Sequence, residues 1–349
     1  MEYGDAQIKA EEQRAMSPQK PMPFRSRRRQ KFADEAAFVK ECGYLLDTGL
    51  AKVEGWMADE GTPLEMKRVY AASQAADRLH LLIADYTIGL PIEVLSRGMD
   101  VVVASYLRAA VFERQFTGAP TMPAFDFKHL DDYVEVLSLL SVAVLLHRED
   151  LIPAIHSLFA GAAPDGEDAL VEDILGKYLP DRPKLATGYH ELPYAYLLDA
   201  TADTSEGERQ EDIGSFLEAW YRGMRGTGWY DSHKRQSPEG TGGYFGYWAF
   251  EAAAIAYLYE IDDKPFRDHL VYPRDIADFA RSMPRQTVAE AIAGQVTMRC
   301  EGGQPCPRTG WWHTPAREGS RQHFEAGTIM PKYDNDYGLT IWQWDANQE

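Results

Sequence analysis

The segment Tyr247–Ile261 reads YWAFEAAAIAYLYEI. A helix built on it is apolar nearly all round, so it has no face to offer water and must be enclosed by other elements. Glu251 stands alone in this apolar company. A buried carboxylate without compensation costs several kcal/mol or more, so Glu251 must be paired, hydrogen-bonded or protonated. A raised pKa would suit a general acid, and a helical hydrolase using Glu251 is the alternative reading. Acid chemistry usually needs a second group at a defined distance. Asp262 and Asp263 lie eleven and twelve residues on, about 17 Å along a helix, too far to form a close pair. The preferred reading is structural: Glu251 anchors the helix by bonding an Arg, Tyr or Trp of the preceding helix. Arg222, Arg225 and Lys234 are the named candidates.

The rest of the chain supplies the enclosing helices. Residues 1–31 are polar and carry Arg25, Arg27, Arg28 and Arg29, and they read as a flexible basic lead-in. Over 32–160, apolar residues recur at helical spacing in long segments with short joints, the pattern of antiparallel helices. A turn-rich stretch near residue 160 leads to a second helical block, 161–285. There Phe216, Leu217, Trp220 and Tyr221 fall on adjacent turns. The glycines of GTGGYFGYW lack the lysine-serine ending of a phosphate loop; they let aromatic-laden backbone turn into the next helix. From 286 to 349 the chain becomes rich in Gly, Pro and Trp, with a short helix near Thr287–Ile292 and a strand-like TIWQW. The expected fold is mainly α: two packed antiparallel helical blocks with a small β-rich, Trp-rich C-terminal tail.

Cys300 and Cys306, with His313 and His323, have spacings longer than those of zinc knuckles. A small β unit packed around Trp311, Trp312, Trp342 and Trp344 accounts for them better. His80, His129, His147 and His156 read as structural residues in or beside helices. No nucleophile motif, dinucleotide fingerprint or basic-aromatic stripe occurs, so no cofactor and no metal are expected. Three cysteines are too few for a disulfide framework, and no apolar leader follows Met1, which points to a cytoplasmic protein. The apolar run Val136–His147 is too short to span a bilayer.

The formal net charge is −18. Such a field disfavours nucleic acid and anionic membrane and favours basic partners. Two clusters concentrate the acids: Asp165, Glu167, Asp168, Glu172 and Asp173, then Asp199, Asp203, Glu206, Glu208, Glu211 and Asp212. They read either as solvated surface or as an anionic face for a basic partner, where complementary charge speeds encounter and fixes orientation. A nucleic-acid mimic without a single cognate partner remains a further alternative.

The residues Trp229–Lys234, Tyr244–Glu251, Asp262, Asp263, Tyr272 and Pro273 together resemble the PoNi family. These are immunity proteins that neutralise PoNe-type DNase toxins, many delivered by type VI secretion systems. The resemblance is good over Tyr189–Arg281 and looser over the preceding helical block, and the CPRTGW tail is similar to tails of other type VI-associated immunity proteins. It implies an all-α, non-catalytic protein that binds a cognate toxin made by the same cell. Within the motif, Trp229, Tyr230, Tyr247, Trp248, Glu251, Asp262 and Asp263 are expected to be scaffold, with the acidic clusters meeting the basic face of the toxin.

Overall fold

The computed structural model describes residues 23–202, 204–235, 242–296, 299–307, 309–314, 316–317, 319–333 and 340–345. It is mainly α, with a small antiparallel sheet near the C-terminus. The chain divides into two compact units, residues 1–285 and 286–349.

The first unit is helical. A short α1 (Phe24–Arg27) precedes α2 (Glu35–Tyr44), which continues through a π-helical stretch, Leu45–Lys52, into α3 (Val53–Ala58). The long helices α4 (Leu64–Thr87) and α5 (Ile92–Thr117) pack on each other. Next come α6 (Leu130–Leu145), α7 (Ile152–His156), α8 (Ala169–Leu175), α9 (Tyr194–Asp199) and α10 (Glu206–Gly223). The last two of the unit are α11 (Phe250–Leu258) and α12 (Arg274–Ser282). Local chemistry sets their ends. Asp34 caps α2 by accepting from the Ala37 N–H at 3.1 Å. Ser205 and Glu208 form a reciprocal capping box on α10, satisfying N–H groups that a helix start leaves open. Gly118, at φ +66°, closes α5 in the left-handed region.

One core joins both helical blocks. Buried side chains from Phe38 on α2 to Ala280 on α12 form a single apolar cluster, so the expected division near residue 160 does not separate two cores. The cause is α11. Its residues Phe250–Ala256 and Leu258 are all buried, and α6, α10 and α12 pack against it. A helix apolar all round cannot close either block alone.

The helix expected from Tyr247 starts at Phe250. The preceding residues spend their backbone groups on tertiary partners. The Tyr247 N–H donates to Gln30 Oε1 at 2.9 Å, the Ala249 N–H donates to the Val271 carbonyl at 2.9 Å, and the Phe245 carbonyl accepts from the Thr87 hydroxyl at 2.7 Å. Gly246 takes φ +130° between them, a conformation that suits glycine.

Residues 23–31 are not the flexible lead-in expected. Arg29 pairs with Asp275 at 2.7 Å, donates to the Tyr86 carbonyl at 2.6 Å and lies 4.5 Å over the Tyr86 ring. The Gln30 side chain is 1% exposed; it also accepts from the Tyr244 hydroxyl at 2.5 Å and donates to the Tyr247 carbonyl. These two polar side chains satisfy backbone groups at the end of α4 and in the 242–249 loop. Residues 1–22 lie outside the described residues.

The second unit holds α13 (Val288–Val296) and four strands: β1 (Arg299–Glu301), β2 (Gly310–His313), β3 (Gln322–Phe324) and β4 (Ile341–Trp344). The strands form one sheet in the order β1-β4-β2-β3, every pair antiparallel. Trp312, Trp342, Phe324, Met330, Cys300 and Cys306 are its core. The Trp342 ring N–H donates to the Pro331 carbonyl at 2.8 Å.

A Cβ at Gly246 would overlap the Thr87 hydroxyl and meet the Trp248 ring. Gly246→Ala is therefore expected to destabilise the first unit by about 3 kcal/mol from strain and overpacking, read as a lowered midpoint in denaturant titration. An unchanged midpoint contradicts this account of the loop.

Candidate functional site

Glu251 is 2% exposed. Its Oε1 accepts from the Trp220 ring N–H at 2.7 Å. The bond comes from the preceding helix, but from an indole and not from the named cations. Arg222 and Arg225 are exposed, and Lys234 pairs with Asp231 at 2.9 Å. An indole suits the position because it satisfies the carboxyl without bringing a second charge into the core. Burial pushes the Glu251 carboxyl up to about 7, against the opposing Trp220 bond. A small cavity of about 30 Å³ lies nearby, lined by Trp220 and Phe250 among others, but Glu251 is not part of its lining. The raised pKa thus comes without access from that cavity.

The other motif residues form a connected lattice. Trp229 stacks on Trp220, ring centroids 5.6 Å apart, and Tyr230 lies 4.9 Å from Tyr221. The Tyr247 hydroxyl accepts from the His233 backbone N–H at 3.1 Å and bonds the His233 ring Nδ1 at 2.8 Å. The Trp248 ring N–H donates to Thr87 Oγ1 at 2.8 Å. Asp263 is a hub: its Oδ1 accepts from Arg267 at 2.9 Å, and its Oδ2 accepts from Arg281 at 2.5 Å and from the Tyr272 hydroxyl at 3.0 Å. Although burial opposes it, the Arg281 guanidinium holds the Asp263 carboxyl below the usual carboxylate range. Asp262 is exposed and lies 3.4 Å from Lys264.

The structure separates the two acidic clusters in kind. The first is largely internal. Asp168 and Glu172 are buried. Asp168 caps α8, accepts from the Tyr189 N–H at 2.9 Å and bonds the Tyr133 hydroxyl at 3.2 Å. Arg182 donates to both Glu172 oxygens at 2.6 Å and to Asp165 at 2.5 Å. Asp165 also bonds His156 at 2.9 Å and the Gly161 N–H at 2.7 Å. Asp173 accepts from Thr201 at 2.7 Å, and exposed Glu167 accepts from the Tyr189 hydroxyl at 2.6 Å. Asp168 and Glu172 cannot present charge to a partner in this fold, a correction to the reading of this cluster as an outward face.

The second cluster is at the surface. Asp199, Glu206, Glu208 and Glu211 are exposed and Asp212 is half-buried; Asp203 lies outside the described residues. Glu208 belongs to the capping box, and Glu206 accepts from the Asp262 N–H at 2.8 Å. Asp199, Glu211 and Asp212 make no ion pair with any described residue. Partial burial, then the charges of Asp199, Glu208 and Glu211, raise the Asp212 pKa. The arginine in the first turns of this helix, Arg209, instead donates to the Ala200 and Tyr259 carbonyls at 3.1 and 2.9 Å. The result is an unneutralised anionic face across the end of α9 and the first turns of α10.

In the second unit, Cys300 and Cys306 are buried beside Trp312 and Trp342, whereas Trp311 pairs with His323 across β2 and β3. Among the described residues no group of three or more His, Cys, Asp or Glu gathers as a metal site would require, nor is any helix long and apolar enough to cross a membrane. The polar residues His80, Glu135 and Ser138 in the cavity wall were not singled out by sequence pattern as site residues. The visible signal was a carboxylate one turn into the apolar run of α6.

Two outcomes follow. Glu251 titrates near 4.5 when unfolded and near 7 when folded. Between these values the folded state holds a proton that the unfolded chain has lost, so this group lowers stability as pH rises through the window. The loss is of order 3 kcal/mol, absent below about pH 4.5 and complete above about pH 7. Glu251→Gln should flatten that slope in denaturant titrations across the window; an unchanged slope contradicts it. Arg182→Ala strands buried Glu172 and should cost about 3–5 kcal/mol by the same titration. A cost near zero would show that the cluster is not held internally.

A comparison with curated proteins found no match. Among solved structures, protein PA2201 from Pseudomonas aeruginosa matches with a TM-score of 0.57 and 22% identity, over 73% of this chain and 91% of that one. At that identity the likeness speaks for the fold alone. Residues 166–276 match the family model of PoNe immunity proteins (PoNi), C-terminal, so the stretch from the Arg182 network through the aromatic loop into α12 is similar to that of a PoNi-type immunity protein.

Proposed function

We propose that this protein is an immunity protein that binds a cognate secreted toxin, a type VI effector with DNase activity, and neutralises it by covering its active face. It acts in the cytoplasm of the cell that makes both. The observation that carries this reading is the PoNi match over residues 166–276. Charge gives it a physical route. A nuclease face must hold phosphates and is therefore basic, and this chain carries a net charge of −18. Asp199, Glu211 and Asp212 offer carboxylates that no cation among the described residues pairs with, and a basic partner would relieve the repulsion that contributes to the raised Asp212 pKa. Opposite fields of this kind accelerate association and orient the encounter. The protein works as an inhibitor by occupancy, and no residue of it need turn over substrate.

Co-expression with the toxin encoded beside it should restore growth of a sensitive host. The triple change Asp199→Lys, Glu211→Lys, Asp212→Lys should slow association about tenfold or more at low salt and flatten its salt dependence, with the melting temperature retained. No protection by the wild-type chain sinks the immunity reading. Protection with an association rate indifferent to the triple change sinks the assignment of this face.

A further inference from the structure

Four helices of the first unit end around one point. α6 stops at Leu145, α8 at Leu175, α11 at Leu258 and α12 at Ser282. His147, just beyond α6, takes φ +53°, the left-handed position after a helix that glycine most often fills. Its Nε2 bonds the Ala280 carbonyl in the last turn of α12 at 2.9 Å. Its ring meets those of Tyr257 on α11 and Phe279 on α12 edge to face, with centroids 5.9 and 6.2 Å away. Helix C-termini carry partial negative charge, so this junction favours a cation.

Glu149 sharpens that need, because its side chain is fully buried. Both of its oxygens and His147 Nδ1 make no hydrogen bond among the described residues. What compensates them is the contact of Nδ1 with Glu149 Oε1 at 3.3 Å. The Ala280 carbonyl can only accept, so Nε2 carries a hydrogen. Without a second proton on the ring, the Nδ1 lone pair faces a carboxylate oxygen, acceptor against acceptor. With it, an imidazolium faces a carboxylate, and both ring N–H groups meet acceptors. Although burial opposes it, Glu149 and the Ala280 carbonyl hold the His147 pKa above its usual 6.5.

The groups around the pair leave this proton to His147. Tyr178, just after α8, and Tyr257 carry buried hydroxyls with no hydrogen bond among the described residues. Burial, then the Glu149 charge, raises both phenols, so they stay neutral. Arg148 pairs with Asp100 and Asp150. Arg285 is exposed and donates to the Leu258 carbonyl at 3.4 Å. Lys177 lies 3.7 Å over the Tyr259 ring.

We propose that His147 is a proton-operated latch: as an imidazolium it ties the last turn of α12 to Glu149 and the end of α6, and loss of its Nδ1 proton to water releases that turn. A charge-assisted bond to the Ala280 carbonyl is about twice as strong as its neutral counterpart. The bare Nδ1 also repels Glu149, so both ties weaken together. The latch acts where the chain leaves the first unit, whose last residue is Arg285.

Hydrogen–deuterium exchange of the full chain from about pH 5.5 to 8.5, corrected for intrinsic exchange, tests this. The opened segment titrates at the usual 6.5 and the latched one higher, so opening grows with pH only between those values. Protection of residues 278–285 should fall above about pH 6.5, by up to tenfold per pH unit. The fall is measured relative to amides of α4, which carry any effect of Glu251 on the whole unit. Glu149→Gln and His147→Gln should abolish the slope, with melting temperature checking the fold. Histidine NMR of the wild-type chain should put the His147 pKa above 6.5, and Glu149→Gln should lower it. A His147 pKa at or below 6.5 overturns the proposal. So does protection of 278–285 that follows α4 across the range, and so does a slope that persists in folded Glu149→Gln. If neither variant folds, the wild-type exchange profile decides alone.

Discussion

A helix with no polar face has to be surrounded, and α11 imposes that condition on the whole first unit. Phe250–Ala256 are buried without a break. The small alanines let α6, α10 and α12 approach closely, and the single carboxyl in the helix is met by an indole at 2.7 Å. Helices from both halves of the sequence are needed to enclose it, which is why one apolar cluster runs from α2 to α12.

The segment that enters this helix ties the same elements by polar contacts. Gln30 reaches Tyr244 and Tyr247, Thr87 bonds Phe245 and Trp248, and Glu41 accepts from the Gly242 and Gly243 N–H groups at 2.9 and 3.0 Å. Each is a side chain distant in sequence that satisfies a group in the 242–249 loop. Fixing that loop also fixes the ring faces around the small cavity beside it.

The helices were legible because their apolar periodicity is local, whereas the caps at Asp34 and Ser205 emerged only in the structure. The all-round apolar pattern of α11 also told that Glu251 would be buried and bonded from the preceding helix. It did not tell which residue would bond it: cations were the natural guess, but Trp220 shares the right face of α10 with Phe216 and Leu217. Composition could not sort the acids either. Asp168 and Asp199 look alike in sequence, yet one caps a buried helix and the other faces water. The difference lies in the Tyr133 hydroxyl and the Tyr189 N–H that meet Asp168, the latter folding back from a loop that carries no periodic signal. Arg29 and Gln30 read as solvated for the same reason: a polar residue shows its tertiary partner only once the chain is folded.

The proposed function would hold a basic toxin on the surface across the end of α9 and the first turns of α10. Hydrogen–deuterium exchange of the purified protein with and without the toxin encoded beside it tests this most directly. Protection on binding should concentrate in residues 194–212. Binding that protects only other regions, or that protects the strands of the second unit alone, would contradict it.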